Sequence, residues 1–112
     1  MRQPHLNRAL VLEEPGRVPD GAGGYVESWQ AVGTLWAEVT ARTGRERDVG
    51  GVQVSRTGYR IVVRGAPVGS TMRPAPEQRF RDGARVWVIR AVAESDGRGS
   101  YLTCFADEEV AA

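Results

Sequence analysis

Two stretches of this chain alternate strictly between two kinds of residue, and no stretch keeps the 3.6-residue period of a helix. From Leu35 onward, Leu35, Ala37, Val39 and Ala41 fall on one side of an extended chain, with Trp36, Glu38, Thr40 and Arg42 on the other. Further on, Tyr59, Ile61 and Val63 alternate with Arg60, Val62 and Arg64. Successive side chains of a strand point to opposite faces, so these runs specify half-buried β-strands. Fifteen valines against five leucines fit the same geometry, because β-branched side chains pack well on a pleated surface. Fourteen glycines and six prolines lie between the apolar runs and punctuate them. The chain reads as all-β.

The punctuation predicts about six short strands. Ala9 to Glu14 is the first, ended by Pro15-Gly16, with a turn-rich loop to Gly24. Tyr25 to Arg42 is too long for one uninterrupted strand, and Gly33 is placed for a bulge or bend. Thr43 to Arg56 shows no strand pattern. At about 14 residues it exceeds the usual connection of ~4–6, and long loops in compact domains are often functional. Tyr59 to Arg64 is a strand, and Ser70 to Arg73 is a short edge strand stopped by Pro74 and Pro76. Asp82-Gly83 marks a type I′ hairpin between Gln78–Arg81 and Ala84–Val92. Asp96 to Gly99 turns the chain into Ser100–Ala106. Residues 1–8 read as an N-terminal arm, and 107–112 as a solvated acidic tail. Six such strands in 112 residues suggest one small barrel or sandwich domain.

Composition removes several functions. Fifteen arginines, with no lysine, face fourteen acids, a net charge of +1 that argues against a nucleic-acid binder driven by bulk charge. One cysteine excludes an internal disulfide, and one histidine excludes a multi-histidine metal centre. No metal or cofactor is expected. The start, Met1 to His5, has no signal-peptide core, and no run approaches the ~18 apolar residues of a membrane-spanning helix. The expected class is a soluble protein of a reducing compartment, with no membrane partner.

The chemistry available is thin. Cys104 lies in an alternating strand and reads as a buried structural thiol. Glu13-Glu14 and Glu108-Glu109 are adjacent in sequence, so in extended chain each pair points to opposite faces and reads as solvated surface. Gly21 to Gly24 lacks the Lys-Ser/Thr of a phosphate loop, and a strand rather than a helix follows it. Nothing here argues for an enzyme.

What stands out is charge and tryptophan. Arg42, Arg45 and Arg47 lie within six residues, interleaved with Glu46 and Asp48, in the loop that also carries Gly44, Gly50 and Gly51. That loop either compensates its own charge in solvent or presents arginines to nucleic acid or to a partner's carboxylates. One copy would bind phosphate weakly, and a ring of copies would multiply the contact. Trp36 lies opposite the apolar face of its strand, so either a loop caps it or a neighbouring subunit does. Trp29 is a second interface candidate, as are Arg60 and Arg64, which flank Val62 on a mixed face.

The ordered set of features carries a resemblance. Leu6 to Pro15 is followed by Asp20-Gly21-Ala22-Gly23-Gly24-Tyr25. Then come Ser28-Trp29, Leu35-Trp36-Ala37-Glu38-Val39, Thr43-Gly44-Arg45-Glu46 and Tyr59 to Arg64. Val86 to Val92, Asp96 and Tyr101-Leu102-Thr103-Cys104 close the series. Over roughly residues 6 to 105 this resembles the head–tail joining, or head-closure (stopper), proteins of long-tailed bacteriophages and phage-like gene-transfer particles. Pro74-Ala75-Pro76 and Arg64-Gly65-Ala66-Pro67 depart from the pattern. The resemblance implies a small β-barrel with one long loop after its second strand. It further implies a homo-oligomer, a hexameric ring at the virion neck, assembled in the bacterial cytoplasm. The expected partners are the head–tail adaptor ring under the portal, the tail terminator, and packaged double-stranded DNA in the channel. Residues 43–56 would be the channel-facing loop that helps retain DNA. A tail terminator or another neck component is the nearest alternative, and a stand-alone nucleic-acid-binding barrel a more distant one.

Overall fold

The computed structural model describes residues 3–42, 45–49, 52–56 and 58–109, with backbone alone for 45–49 and 52–56. Among these residues are eight strands: β1 (Arg8–Pro19), β2 (Tyr25–Ala41), β3 (Arg45–Val49), β4 (Val52–Arg56), β5 (Gly58–Arg64), β6 (Arg79–Asp82), β7 (Arg85–Glu94) and β8 (Tyr101–Glu109). Six of them close a barrel in the order β1-β2-β5-β8-β7-β6, with every neighbouring pair antiparallel. Within the barrel each strand pairs on both edges, which removes the unpaired edges an open sheet would expose, while β1 and β2 extend beyond it paired only with each other. β3 and β4 form a separate two-stranded sheet inserted between β2 and β5.

The alternation read in the sequence lines this barrel. Leu10, Leu12, Ala37, Ile61, Val63, Phe80, Trp87, Ile89, Leu102, Cys104 and Ala106 form one buried cluster. Leu35, Val39, Tyr59 and Val92 pack against it, partly buried. Each large side chain fully buried in this way contributes about 1.5–3 kcal/mol. Phe80 and Trp87 are the largest, and they face each other across the β6–β7 ladder. Val62 lies outside the barrel yet is also buried.

Several element boundaries differ from the sequence reading. β1 does not stop at Pro15-Gly16 but runs to Pro19, paired with β2 as far as Pro19↔Tyr25. Pro15 and Pro19 are tolerated there because a two-stranded ribbon leaves its outward backbone positions free of ladder duty. Beyond Glu13, β1 has no further pairing with β6, and β2 joins β5 only from Ala37, so residues 14–30 form a ribbon of their own. At its tip Asp20 accepts the N–H groups of Ala22 at 2.8 Å and Gly24 at 3.0 Å. Gly21 and Gly23 take positive φ there, a conformation glycine reaches without a Cβ penalty. β2 is one strand of 17 residues. Its irregularity is a register shift in which Leu12 faces Gly33 and Glu13 faces Ala31, so the bulge falls beside Gly33.

Residues 43–56 are not an irregular loop throughout, because β3 and β4 pair from Arg45↔Arg56 to Val49↔Val52. The signal was a valine-bearing repeat around Gly50-Gly51, masked by the charges of Arg45 to Asp48. Ser70 to Arg73 is a succession of turns, not an edge strand. In the β6–β7 hairpin Asp82 pairs with Arg85, so the turn residues are Gly83 and Ala84. Positive φ falls on Gly83 alone, the II′ pattern instead of I′. Finally, Asp107 to Glu109 are the end of β8, not a solvated tail.

Candidate functional site

Three side-chain groupings on this barrel could carry a function. The first is the end of the barrel from which β3–β4 springs. There the backbone N–H of Arg42 donates to Gly58 O at 2.8 Å, closing the root of the insertion. Trp87 fills this end from within, and the guanidinium groups of Arg85 and Arg8 lie over its ring at 4.7 and 5.2 Å. Tyr59 meets it edge-on at 6.0 Å. Arg85 grips Glu108 through Nε–Oε2 at 2.8 Å and Nη2–Oε1 at 3.0 Å, and the Tyr59 hydroxyl donates to the same carboxylate at 3.0 Å. Arg8 donates to Asp82 at 3.0 Å. The hydrogen bond from Arg85, with that from Tyr59, outweighs burial and holds the Glu108 carboxyl below its usual range. The arginines, Tyr59 and Glu108 thus form a hydrogen-bonded polar cap over Trp87, whose own indole N–H is buried without a hydrogen-bond partner among the described residues.

The second grouping is that hairpin. Arg45 and Arg47, singled out in the sequence, stand in β3 opposite Arg56 and Val54. Neighbouring positions of a strand alternate in direction, so positions 45, 47, 54 and 56 share one side of the ladder and 46, 48, 53 and 55 the other. Gly44, Gly50 and Gly51 lie outside the described residues.

The third grouping is the outer face of β2, β5 and β8. Trp36, Arg60 and Arg64 all lie there, together with Arg42. Arg60 pairs with Thr40 and Phe105, and Arg64 with Tyr101. Arg64 reaches over the Tyr101 ring at 5.9 Å and Arg42 over Phe105 at 5.4 Å. Leu6, Thr34, Leu35, Trp36 and Arg64 line a shallow depression. Trp36 is 59% exposed, so no loop caps it. Trp29 is not part of this face. It lies at the base of the β1–β2 ribbon, with Arg79 stacked on it at 4.1 Å.

The sequence reading missed Trp29's partners. Glu13, read as solvated, is buried between Arg79 and Arg81, at 2.7 and 2.9 Å. The Arg79-Phe80-Arg81 alternation, which places both arginines outside the barrel, was the available signal. Cys104 is a free buried thiol, as read. Among the described residues no group of three or more His, Cys, Asp or Glu side chains is placed to hold a metal ion.

A small closed barrel with an inserted hairpin, an ion-paired polar cap and an exposed arginine–aromatic face suits a building block better than a reaction centre. The family model for phage head completion proteins matches residues 1–109. The chain belongs to the phage head completion protein family. Its structure also superimposes on a chain from the virion of a native gene transfer agent particle, with a TM-score of 0.81 and 59% sequence identity. That match covers 98% of this head completion protein and 100% of the other chain. No curated protein matches it. The all-β architecture and the family expected from the ordered motifs both hold, so this head completion protein is a structural component of the head–tail region of a phage-type particle.

Proposed function

We propose that this head completion protein is the stopper of a virion neck. Six copies form a ring between the portal's adaptor ring and the tail terminator, and the β3–β4 hairpin of each copy points toward the channel and helps retain packaged DNA. The observation that carries this reading is the insertion itself, in a chain of this family. A separate hairpin with arginines at positions 45, 47 and 56 on one side of its ladder leaves the barrel between β2 and β5. A ring multiplies a weak phosphate contact by the number of copies, so a protein of net charge +1 can hold DNA without a basic surface. The similar chain belongs to a gene transfer agent virion, which supports a particle of that kind as the setting.

The test is to replace Arg45 and Arg47 with alanine in the particle-producing cell. The expected result is particles of normal protein composition that lose packaged DNA, with the loss growing as salt rises. Particles of unchanged DNA content would refute the channel role of the hairpin. Absence of the wild-type chain from the neck in particle reconstructions would refute the stopper reading altogether.

A further inference from the structure

Four of the five large apolar side chains that the described residues leave exposed fall in two places. Val18, Tyr25 and Val26 lie at the tip of the β1–β2 ribbon, 47%, 66% and 54% exposed, and Trp36 lies on the outer barrel face. Val18 and Val26 face each other across the ladder, and Tyr25 is on the other side of the ribbon. Both sides of the tip are thus apolar without cover. Singly scattered apolar residues need no explanation, but an apolar tip on a projecting ribbon does.

The charges at the two places are opposite. The ribbon exposes Glu14, Asp20 and Glu27 against one arginine, Arg17. The barrel face exposes Arg42, Arg60 and Arg64, while its acids Glu38 and Asp107 are already engaged, Glu38 accepting the His5 backbone N–H at 2.9 Å and Asp107 the Arg90 Nε–H at 3.2 Å. Asp20 is held ionised at its post, since the backbone N–H groups of Ala22 and Gly24 lower its pKa. Exposure of both surfaces in one copy shows that the ribbon does not cover its own barrel face.

From this complementarity we infer that the tip of the β1–β2 ribbon of one copy docks on the Trp36–Arg60–Arg64 face of the next. The contact rests on the ring reading above and gives that ring its adhesive surfaces. It joins two different patches, so it is head-to-tail, the kind of interface that propagates around a closed ring instead of ending at a dimer. Tyr25 and Val26 supply the apolar contact against Trp36, and the acids of the ribbon meet the three arginines. Charge complementarity of this kind fixes register and suppresses wrong partners more than it adds affinity.

The experiment places a photo-crosslinking benzoylphenylalanine at Tyr25, and separately at Val26, in the full chain within assembled particles. The expected product runs at twice the chain mass, and its adduct maps to residues 34–42, 59–64 or 101–107 of the second copy. R60E combined with R64E should lower its yield at least fivefold while leaving the melting temperature of the purified barrel unchanged. Particles that carry the chain but give no adduct, an adduct elsewhere on the chain, or an adduct only to a different particle protein overturn the contact and leave the stopper reading standing. Absence of the unmodified chain from the particles overturns both.

Discussion

Glu13 and Arg79 are partners twice over. They stand opposite each other on the β1–β6 ladder, and the Arg79 Nε donates to Glu13 Oε1 at 2.7 Å. Arg81 takes the other carboxylate oxygen at 2.9 Å, so one buried acid bridges two arginines where the barrel closes. That ladder has only three residue pairs, which makes the ion cluster a large part of the closing contact. Glu13→Ala leaves two arginines facing each other without a counter-charge. Breaking a fully buried pair costs about 3–5 kcal/mol, and partial exposure of Arg81 reduces this to about 2 kcal/mol. Glu13→Gln keeps one acceptor and should cost about 1 kcal/mol. Urea unfolding with an unchanged slope and a lowered midpoint checks both, and a Glu13→Ala midpoint equal to wild type would refute the role of the cluster.

The same carboxylates set an acid limit. Burial raises the pKa of Glu13, but the hydrogen bonds and charges of Arg81 and Arg79 outweigh it, so the folded value lies below the ordinary 4.5. Glu108 is lowered as well, chiefly by the hydrogen bond from Arg85. A lowered folded pKa means that the unfolded chain binds the proton first as pH falls. The stabilisation is therefore complete above the unfolded value and is lost as pH drops through the folded one. Stability measured by denaturant should be flat from neutrality to about pH 5 in this respect and decline below about pH 4. Glu13→Gln should make that decline shallower. An equally steep decline in the variant would show that Glu13 does not contribute to it.

How much of this was legible in the sequence depended on whether a residue's partner was close along the chain. The inner faces of β2 and β5 follow from period-two alternation alone, and Ala37, Ile61 and Val63 are buried as that pattern requires. The bulge beside Gly33 was legible because glycine marks it. The Glu13 cluster was not, since its partners lie 66 and 68 residues away and only barrel closure brings them together. Glu108 was misread for the same reason, as a residue near the chain's end whose Arg85 partner is on another strand. The β3 strand was hidden by its own composition, because alternating arginine and acid reads as a charge run until the facing valines of β4 are paired with it. Of the interface candidates, Trp36, Arg60 and Arg64 converge on one face because strand parity was readable, whereas Trp29 lies farther back along β2, on the ribbon that β5 does not reach, where Arg79 of β6 stacks on it.

Two glycines should respond very differently to alanine. A Cβ on Gly65 would fall 1.8 Å from the Gly99 carbonyl oxygen, a backbone atom in the crossing where Gly65 N–H donates to Ser100 O at 2.8 Å. A Cβ on Gly33 would meet only the Met72 side-chain end, at 2.9 Å, which can swing away. Gly65→Ala should therefore cost about 2–3 kcal/mol or more, and Gly33→Ala less than about 1 kcal/mol. Thermal unfolding checks the order. Equal losses would mean that the Gly65–Gly99 crossing relaxes at little cost.

Cys104 should behave as a reporter of global unfolding. It is fully buried on β8, opposite Ile61 on one side and Val92 on the other, and burial pushes its thiol pKa from 9.0 up to about 12, against a slight opposing pull from the charge of Arg73. The thiolate is the nucleophile, so at pH 8 the folded protein presents roughly one ionised thiol in ten thousand, and shields it as well, whereas the unfolded chain presents about one in ten. An aromatic disulfide reagent should therefore label native protein only as fast as the barrel opens. Labelling should accelerate with urea in step with the loss of tryptophan signal, and Glu13→Ala should speed it by the factor that its lost stability implies, about thirtyfold for 2 kcal/mol, when reclosing is fast. Rapid labelling of the wild-type protein without denaturant, at a rate insensitive to Glu13→Ala, would show that β8 opens locally and that the seam between β1 and β6 does not control access to the core.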